Sequence, residues 1–244
     1  MSEVAGPLRR ILLPLDVSRD SLAAQGIALD LAAALGGEVV ALFIEDTRLL
    51  AAANLPFTRE VGSLSGITRQ VGFADVERLL RGVADKARAA LRESSQRLNV
   101  RSSFRVERGD VTGGILAATM EIDLIVLGKR GWSLGQFGEP GNTCRDILSK
   151  SPAPTLVVEH GVMLTTPILA VDDGSPAGKR AADIAKQIGR ALHRDVVVFP
   201  AKSATKGEIP LEETLGKPGF VVLPASSFSH RDTSRLKCPV LFVP

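Results

Sequence analysis

The chain has 244 residues, 45% of them hydrophobic and 23% charged, more than one average domain needs and enough for two globular ones with real cores. A net charge of +3, basic residues in scattered pairs and only 4% aromatic residues exclude a nucleic-acid binder built on a basic stripe or a stacking platform. Cys144, Cys238 and three histidines lack the spacing of a disulfide framework or a metal site, and no apolar run approaches a membrane span. A cytoplasmic, metal-free protein with reduced thiols is expected.

In chain order, Ile11–Leu15 is a short continuous apolar run, the mark of a strand buried on both faces of a parallel sheet. Asp16 ends it and Ser18 is placed to cap the next helix, whose Ala24, Ile27, Ala28, Leu31 and Leu35 recur at helical spacing. Gly36–Gly37 stops that helix before a second strand, Val39–Ile44. Residues 47–72 show no periodicity and are expected to form a long loop, functional or mobile. A long amphipathic helix follows, with Val76, Leu79, Leu80, Val83, Ala87 and Leu91 on one face and an end near Asn99. Ser102–Val106 is predicted as a third strand, Thr112–Thr119 as a short helix, Asp123–Leu127 as a fourth strand, Thr143–Ser149 as a helix and Thr155–Val158 as a fifth strand.

The pattern then starts again. Ile11–Phe43 aligns without a gap onto Ile168–Pro200, with identities such as Ile11/Ile168, Asp16/Asp173, Ser18/Ser175, Ile27/Ile184 and Val39/Val196. Ser175 is followed by Pro176, a capping residue and a favoured first-turn residue. The second copy is shortened: what lies between 40 and 127 in the first half is compressed between 197 and 223 in the second, enough to remove the long helix and the third strand. Residues 160–166 join the halves. Strands joined by helices imply right-handed crossovers and a parallel sheet, so the fold class is α/β.

In such sheets ligands bind beyond the carboxyl ends of the strands. Asp16 lies there, as does the glycine-rich turn after the fourth strand, in which Gly128, Gly131 and Gly141 bracket spacers of two and nine residues before a helix begins at Asn142–Thr143. Glycines let backbone N–H groups approach an anion, and the helix start adds unpaired N–H groups and a positive dipole end. A phosphate cradle and an unliganded glycine loop both fit these residues. Gly131-Trp132-Ser133-Leu134-Gly135 also fits the nucleophile-elbow pattern of a serine hydrolase, but Gly128-Lys129-Arg130 separates it from its strand. No phosphate-loop motif G-x-x-x-x-G-K-[ST] occurs.

At these residues the chain resembles the universal stress protein family: an aspartate ends the first strand, and Gly-x2-Gly-x9-Gly-Ser/Thr follows the fourth. The stretches Ile11–Asp16, Gly109-Asp110 and Ser151–Val158 look like that family too. The resemblance implies two tandem open twisted parallel-sheet domains, Rossmann-like and similar to the adenine nucleotide alpha hydrolases: a nucleotide-binding domain at 1–160 and a truncated, degenerate one at 161–244. It further implies strand orders 3-2-1-4-5 and 2-1-4-5, with the two fifth strands pairing inside the chain as an intramolecular pseudo-dimer; a homodimer is a further option. The ligand it implies is ATP, or AMP or ADP, with magnesium only as a phosphate-bound ion. Carried over by position, Asp16 and Pro14 would meet the adenosine moiety and Ile44 the adenine, while Gly128, Gly131, Gly141, Asn142 and Thr143 would hold ribose and phosphates. Asn142 departs from the usual hydroxyl residue, which weakens the expected binding. Lys129 and Arg130 are either phosphate-neutralising cations or a solvated loop pair. The second half keeps Asp173 but has Leu223-Pro224-Ala225-Ser226-Ser227-Phe228 in place of the glycine turn, so one nucleotide per chain is expected. The implied role is an ATP-binding cytoplasmic stress-response regulator with at most slow ATP hydrolysis. A nucleotide-free interaction scaffold of the same fold is the alternative.

Overall fold

The computed structural model describes residues 6–55, 59–61, 68–70, 72–131, 140–200, 219–226 and 236–244. Its first apolar run is strand β1 (Arg10–Pro14), in which Ile11, Leu12 and Leu13 are fully buried. Pleating sends Ile11 and Leu13 into the core on one face of the sheet and Leu12 into the core on the other, which is why the run is continuous instead of alternating. Helix α1 (Arg19–Leu35) is capped by the Ser18 side chain, which accepts from the Ser21 N–H, and ends at Gly36 in the left-handed region.

Strand β2 (Glu38–Asp46) comes next, then a short helix α2 (Thr47–Ala53) and a hairpin of β3 (Arg59–Val61) and β4 (Thr68–Gln70). The stretch 47–72, expected as a loop, therefore contains a helix and a hairpin. A seven-residue helix and three-residue strands are too short to leave a periodic signature, and α2 is held by Leu50 and Ala53 packing on Val76. Helix α3 (Phe73–Arg97) leads to β5 (Arg101–Gly109), longer than the predicted strand and paired along its whole length with β2. As the sheet edge, β5 carries Arg101, Arg105 and Glu107, so its second half does not read as apolar.

Helix α4 (Val111–Ala117) continues into a 3-10 turn at Ala118–Glu121, then β6 (Leu124–Gly128), α5 (Asn142–Lys150) and β7 (Thr155–Val158) complete the first half. The second half supplies β8 (Ile168–Asp172), α6 (Pro176–Leu192), β9 (Val196–Pro200), β10 (Phe220–Pro224) and β11 (Val240–Val243). The ten residues Ser175 to Ile184 open α6 as Ser18 to Ile27 open α1, with the Ser175 side chain accepting from the Gly178 N–H and Pro176 in the first turn. Even the bend before the cap is shared. Val17 and Gly174 both take positive φ, 63° and 82°, a conformation easy for glycine and strained for a β-branched residue.

All these strands except the short hairpin form one nine-stranded sheet in the order β5-β2-β1-β6-β7-β11-β10-β8-β9. Every pairing in it is parallel apart from β7 with β11, which run antiparallel. The strand orders 3-2-1-4-5 and 2-1-4-5 expected from the resemblance, and the pairing of the two fifth strands, are thus present. Helices α1 and α6 cover the same face and touch each other. Their core is continuous across the β7–β11 junction, from Leu13 and Val126 through Leu156 and Leu241 to Ile168 and Ala185. Helices α4 and α5 cover the opposite face through Ile115, Cys144 and Ile147. Among the described residues no helix is long and apolar enough to cross a membrane.

Candidate functional site

Beyond the carboxyl ends of β1, β2 and β6 lies a cleft of about 510 Å3. It sits where the sheet order reverses, since β1 is flanked by β2 on one side and β6 on the other and their connections diverge. All ten sequence-predicted site residues lie on its walls, from Pro14, Asp16 and Ile44 to the turn Gly128–Gly131 and the helix start Gly141–Thr143. One end is apolar, formed by Leu42, Ile44, Val111 and Ile115 of the sheet and α4 together with Leu79, Leu80 and Val83 of α3. The other end is backbone-rich, formed by the glycine turn and the first turn of α5.

The polar end is stitched together by backbone bonds. Gly141 N–H donates to the Lys129 carbonyl at 2.9 Å, closing the two ends of the glycine bracket, and Lys129 N–H donates to the Val158 carbonyl at 2.7 Å. Ser18, the cap of α1, donates its hydroxyl to the Arg130 carbonyl at 3.1 Å. Directly beside the turn the Asp16 carboxylate accepts from the Ser18 N–H at 3.0 Å. Gly141 is the N-cap of α5, so Asn142, Thr143 and Cys144 present N–H groups with no acceptor one turn back in the helix. These groups and the helix dipole give that corner a positive character without a cation.

Each glycine has its own reason. A Cβ at Gly128 would come within 2.8 Å of the Ser21 backbone nitrogen and 2.9 Å of the Asp20 carbonyl carbon, so Gly128 lets α1 pack against the end of β6. Gly128→Ala is expected to destabilise the fold by about 1–3 kcal/mol through overpacking, read from the midpoint of thermal or urea unfolding. A Cβ at Gly131 would meet the Asp16 carboxylate at 2.7 Å, while one at Gly141 would meet nothing closer than 3.7 Å among the described residues. Gly141 is thus the bracket glycine whose openness the fold itself does not require.

Residues 7–159 match the universal stress protein family. The chain belongs to the universal stress protein family. No curated protein sequence matches it. Among solved structures, a universal stress protein from Archaeoglobus fulgidus is similar over 96% of this chain and 97% of its own, with 17% identity and a TM-score of 0.67. A functionally unknown protein from Pseudomonas aeruginosa is similar over 97% of this chain and 92% of its own, with 12% identity and a TM-score of 0.61. At these identities the likeness is one of fold.

Lys129 and Arg130 lie on the cleft wall within a network of carboxylates. They are not a solvated loop pair, because Lys129 is only 7% exposed. Nor are their charges uncommitted: Lys129 Nζ lies 3.0 Å from Glu159, and Arg130 reaches Glu159 at 2.7 Å and Asp20 at 3.0 Å. Asp20 is buried in the first turn of α1 and also accepts from the backbone N–H groups of Arg130 and His160. Its hydrogen bond with Arg130 raises the guanidinium's pKa, against the opposing effect of burial. Asp20 and Glu159 therefore lock the glycine turn to α1 and to the end of β7. Sequence reasoning missed them because an acidic residue in a first helical turn reads as an ordinary dipole partner, and its Arg130 contact spans a separation of 110 residues.

The α3 residues on the apolar wall appeared in the sequence only as a core-facing stripe. At the mouth, Asp46 caps α2 and binds Arg48; burial works to raise its pKa, but the hydrogen bonds and charge of Arg48 outweigh it and hold the carboxyl below its usual range. Cys144 lines the cleft, and burial pushes its thiol up to about 12; Cys238, half-buried just before β11, is pushed up to about 12 by burial as well. Both are expected to resist a disulfide reagent at neutral pH until the chain is unfolded. The same shifts make stability complete below the ordinary thiol value of 9.0 and progressively lost as pH rises toward 12, because only the unfolded thiols ionise there.

In the second half, Asp173 repeats the Asp16 turn, its carboxylate accepting from the Ser175 N–H at 3.0 Å. Ser227 and Phe228, beyond the end of β10, lie outside the described residues, as does Ser133 of the hydrolase-like segment. Among the described residues no group of three or more His, Cys, Asp and Glu side chains is placed to hold a metal ion.

Proposed function

We propose that the chain binds one adenine nucleotide, in the cleft of its first half, and acts as a nucleotide-dependent binding module. The observation that supports this best is the meeting, in one cleft, of an apolar slot, a carboxylate at the end of β1 and a glycine-bracketed helix start. The slot beside Ile44 and Ile115 suits a flat base, Asp16 suits ribose or adenosine polar groups, and the backbone N–H groups of the bracket suit phosphate oxygens.

The two halves, 1–160 and 161–244, act in this reading as fused copies of one domain, the second without a nucleotide site. The β7–β11 pairing then does inside the chain what an edge-to-edge dimer would do, and covers two apolar strand edges. The output is a changed binding surface in a cytoplasmic stress response, with no chemical product. Mass spectrometry of small molecules released from protein purified without added ligand tests the reading. An adenine compound, absent from a Gly141→Val preparation, is the expected result. A different molecule lost in the same variant would replace adenine as the ligand class.

A further inference from the structure

We propose that this cleft selects an adenosine ligand carrying a single phosphate group over one carrying a triphosphate. The inference rests on the adenine-nucleotide reading and concerns the charge the site can accept. A chain of phosphates needs cations, and each one left without a partner in a partly enclosed cleft loses a charge-assisted hydrogen bond.

The cations at the polar end are already matched. Lys129 and Arg130 share Glu159, and Arg130 also holds buried Asp20, so the two positive charges face two carboxylates. Arg48, at the far mouth, is 3.0 Å from Asp46 and 3.6 Å from Asp110. Residues 132–139, between the second and third bracket glycines, contain no lysine or arginine, and their one charged residue is Glu139. Asp16 adds a further negative charge on the wall.

Among the described residues, what remains to meet an anion is the first turn of α5, equivalent to roughly half a positive charge. Beside it stands Arg145, which has no carboxylate partner among the described residues and instead donates to the Asn142 side chain. One helix start and one neighbouring guanidinium match one phosphate group. A second and third would extend past them toward the carboxylate of Asp16 without compensation. Magnesium, by screening a triphosphate, would lessen the penalty.

Calorimetric titration of the full chain with adenosine, AMP and ATP, with a chelator and then with magnesium, tests the selection. AMP is expected to bind about tenfold or more tightly than metal-free ATP, one lost charge-assisted hydrogen bond being worth that much. Magnesium should narrow the gap. Glu159→Gln, which releases part of the charge of Lys129 and Arg130, should narrow it too. Metal-free ATP binding as tightly as AMP to the unaltered chain overturns the selection while leaving the adenine reading intact; binding of none of the three overturns both.

Discussion

Gly141→Val is expected to weaken adenine-nucleotide binding by about 100-fold, equivalent to ~2.7 kcal/mol, while leaving the folded chain intact. The expectation follows from where the side chain would go. Gly141 sits at φ −64° and ψ 163°, an extended conformation that valine adopts readily. Among the described residues its Cβ would meet only ordinary contacts, 3.7 Å from the Gly131 nitrogen and 3.8 Å from the Lys129 oxygen. The added methyl groups would fill the space between the glycine turn and the N–H groups that open α5, the corner assigned to phosphate. Unfolding stability should change by less than ~1 kcal/mol, as for substitutions away from packed or strained features. The variant separates ligand binding from folding better than Gly128, wedged against α1, or Gly131, pressed on the Asp16 carboxylate. Unchanged affinity in a folded Gly141→Val protein would place the phosphate elsewhere.

Asp20→Ala carries the largest expected loss of stability, about 3 kcal/mol. The carboxylate is buried and accepts three hydrogen bonds, from the Arg130 N–H, the Arg130 guanidinium and the His160 N–H. Removing it leaves two backbone donors without their acceptor and half of a buried ion pair unmatched. The upper part of the ~3–5 kcal/mol range for a broken buried pair is not expected, because Arg130 keeps Glu159 and is partly exposed. Asp20→Asn should recover part of the loss, since an amide oxygen still accepts but carries no charge. Urea unfolding reads this as a lower midpoint with an unchanged slope. A midpoint shift below ~0.5 kcal/mol would mean that the network does not hold the turn to α1.

The sheet was largely legible because its signals are local. A continuous apolar run such as Ile11–Leu15 needs two covered faces, and Ser18 and Ser175 mark helix starts by chemistry that acts within three residues. That the ten predicted residues would share one cleft was legible for a related reason: the glycine spacing and Asp16 are adjacent to strand ends, and parallel-sheet topology brings strand ends together.

What stayed hidden was set by distant partners. Nothing around Asp20 announces that it will be buried beneath Arg130, and nothing in Lys129-Arg130 announces that Glu159 will take both charges. Charge pairs between elements depend on packing geometry, which a periodicity does not encode. The α2 helix and the β3–β4 hairpin were missed because seven and three residues give too few repeats for a pattern to stand out.

The central claim, one adenine nucleotide per chain in the first-half cleft, is tested most directly by calorimetric titration of the full chain with AMP. The account requires one equivalent bound per chain, and none detectable at the same concentrations in Gly141→Val. Two equivalent sites, or a single site unaffected by that substitution, would contradict it.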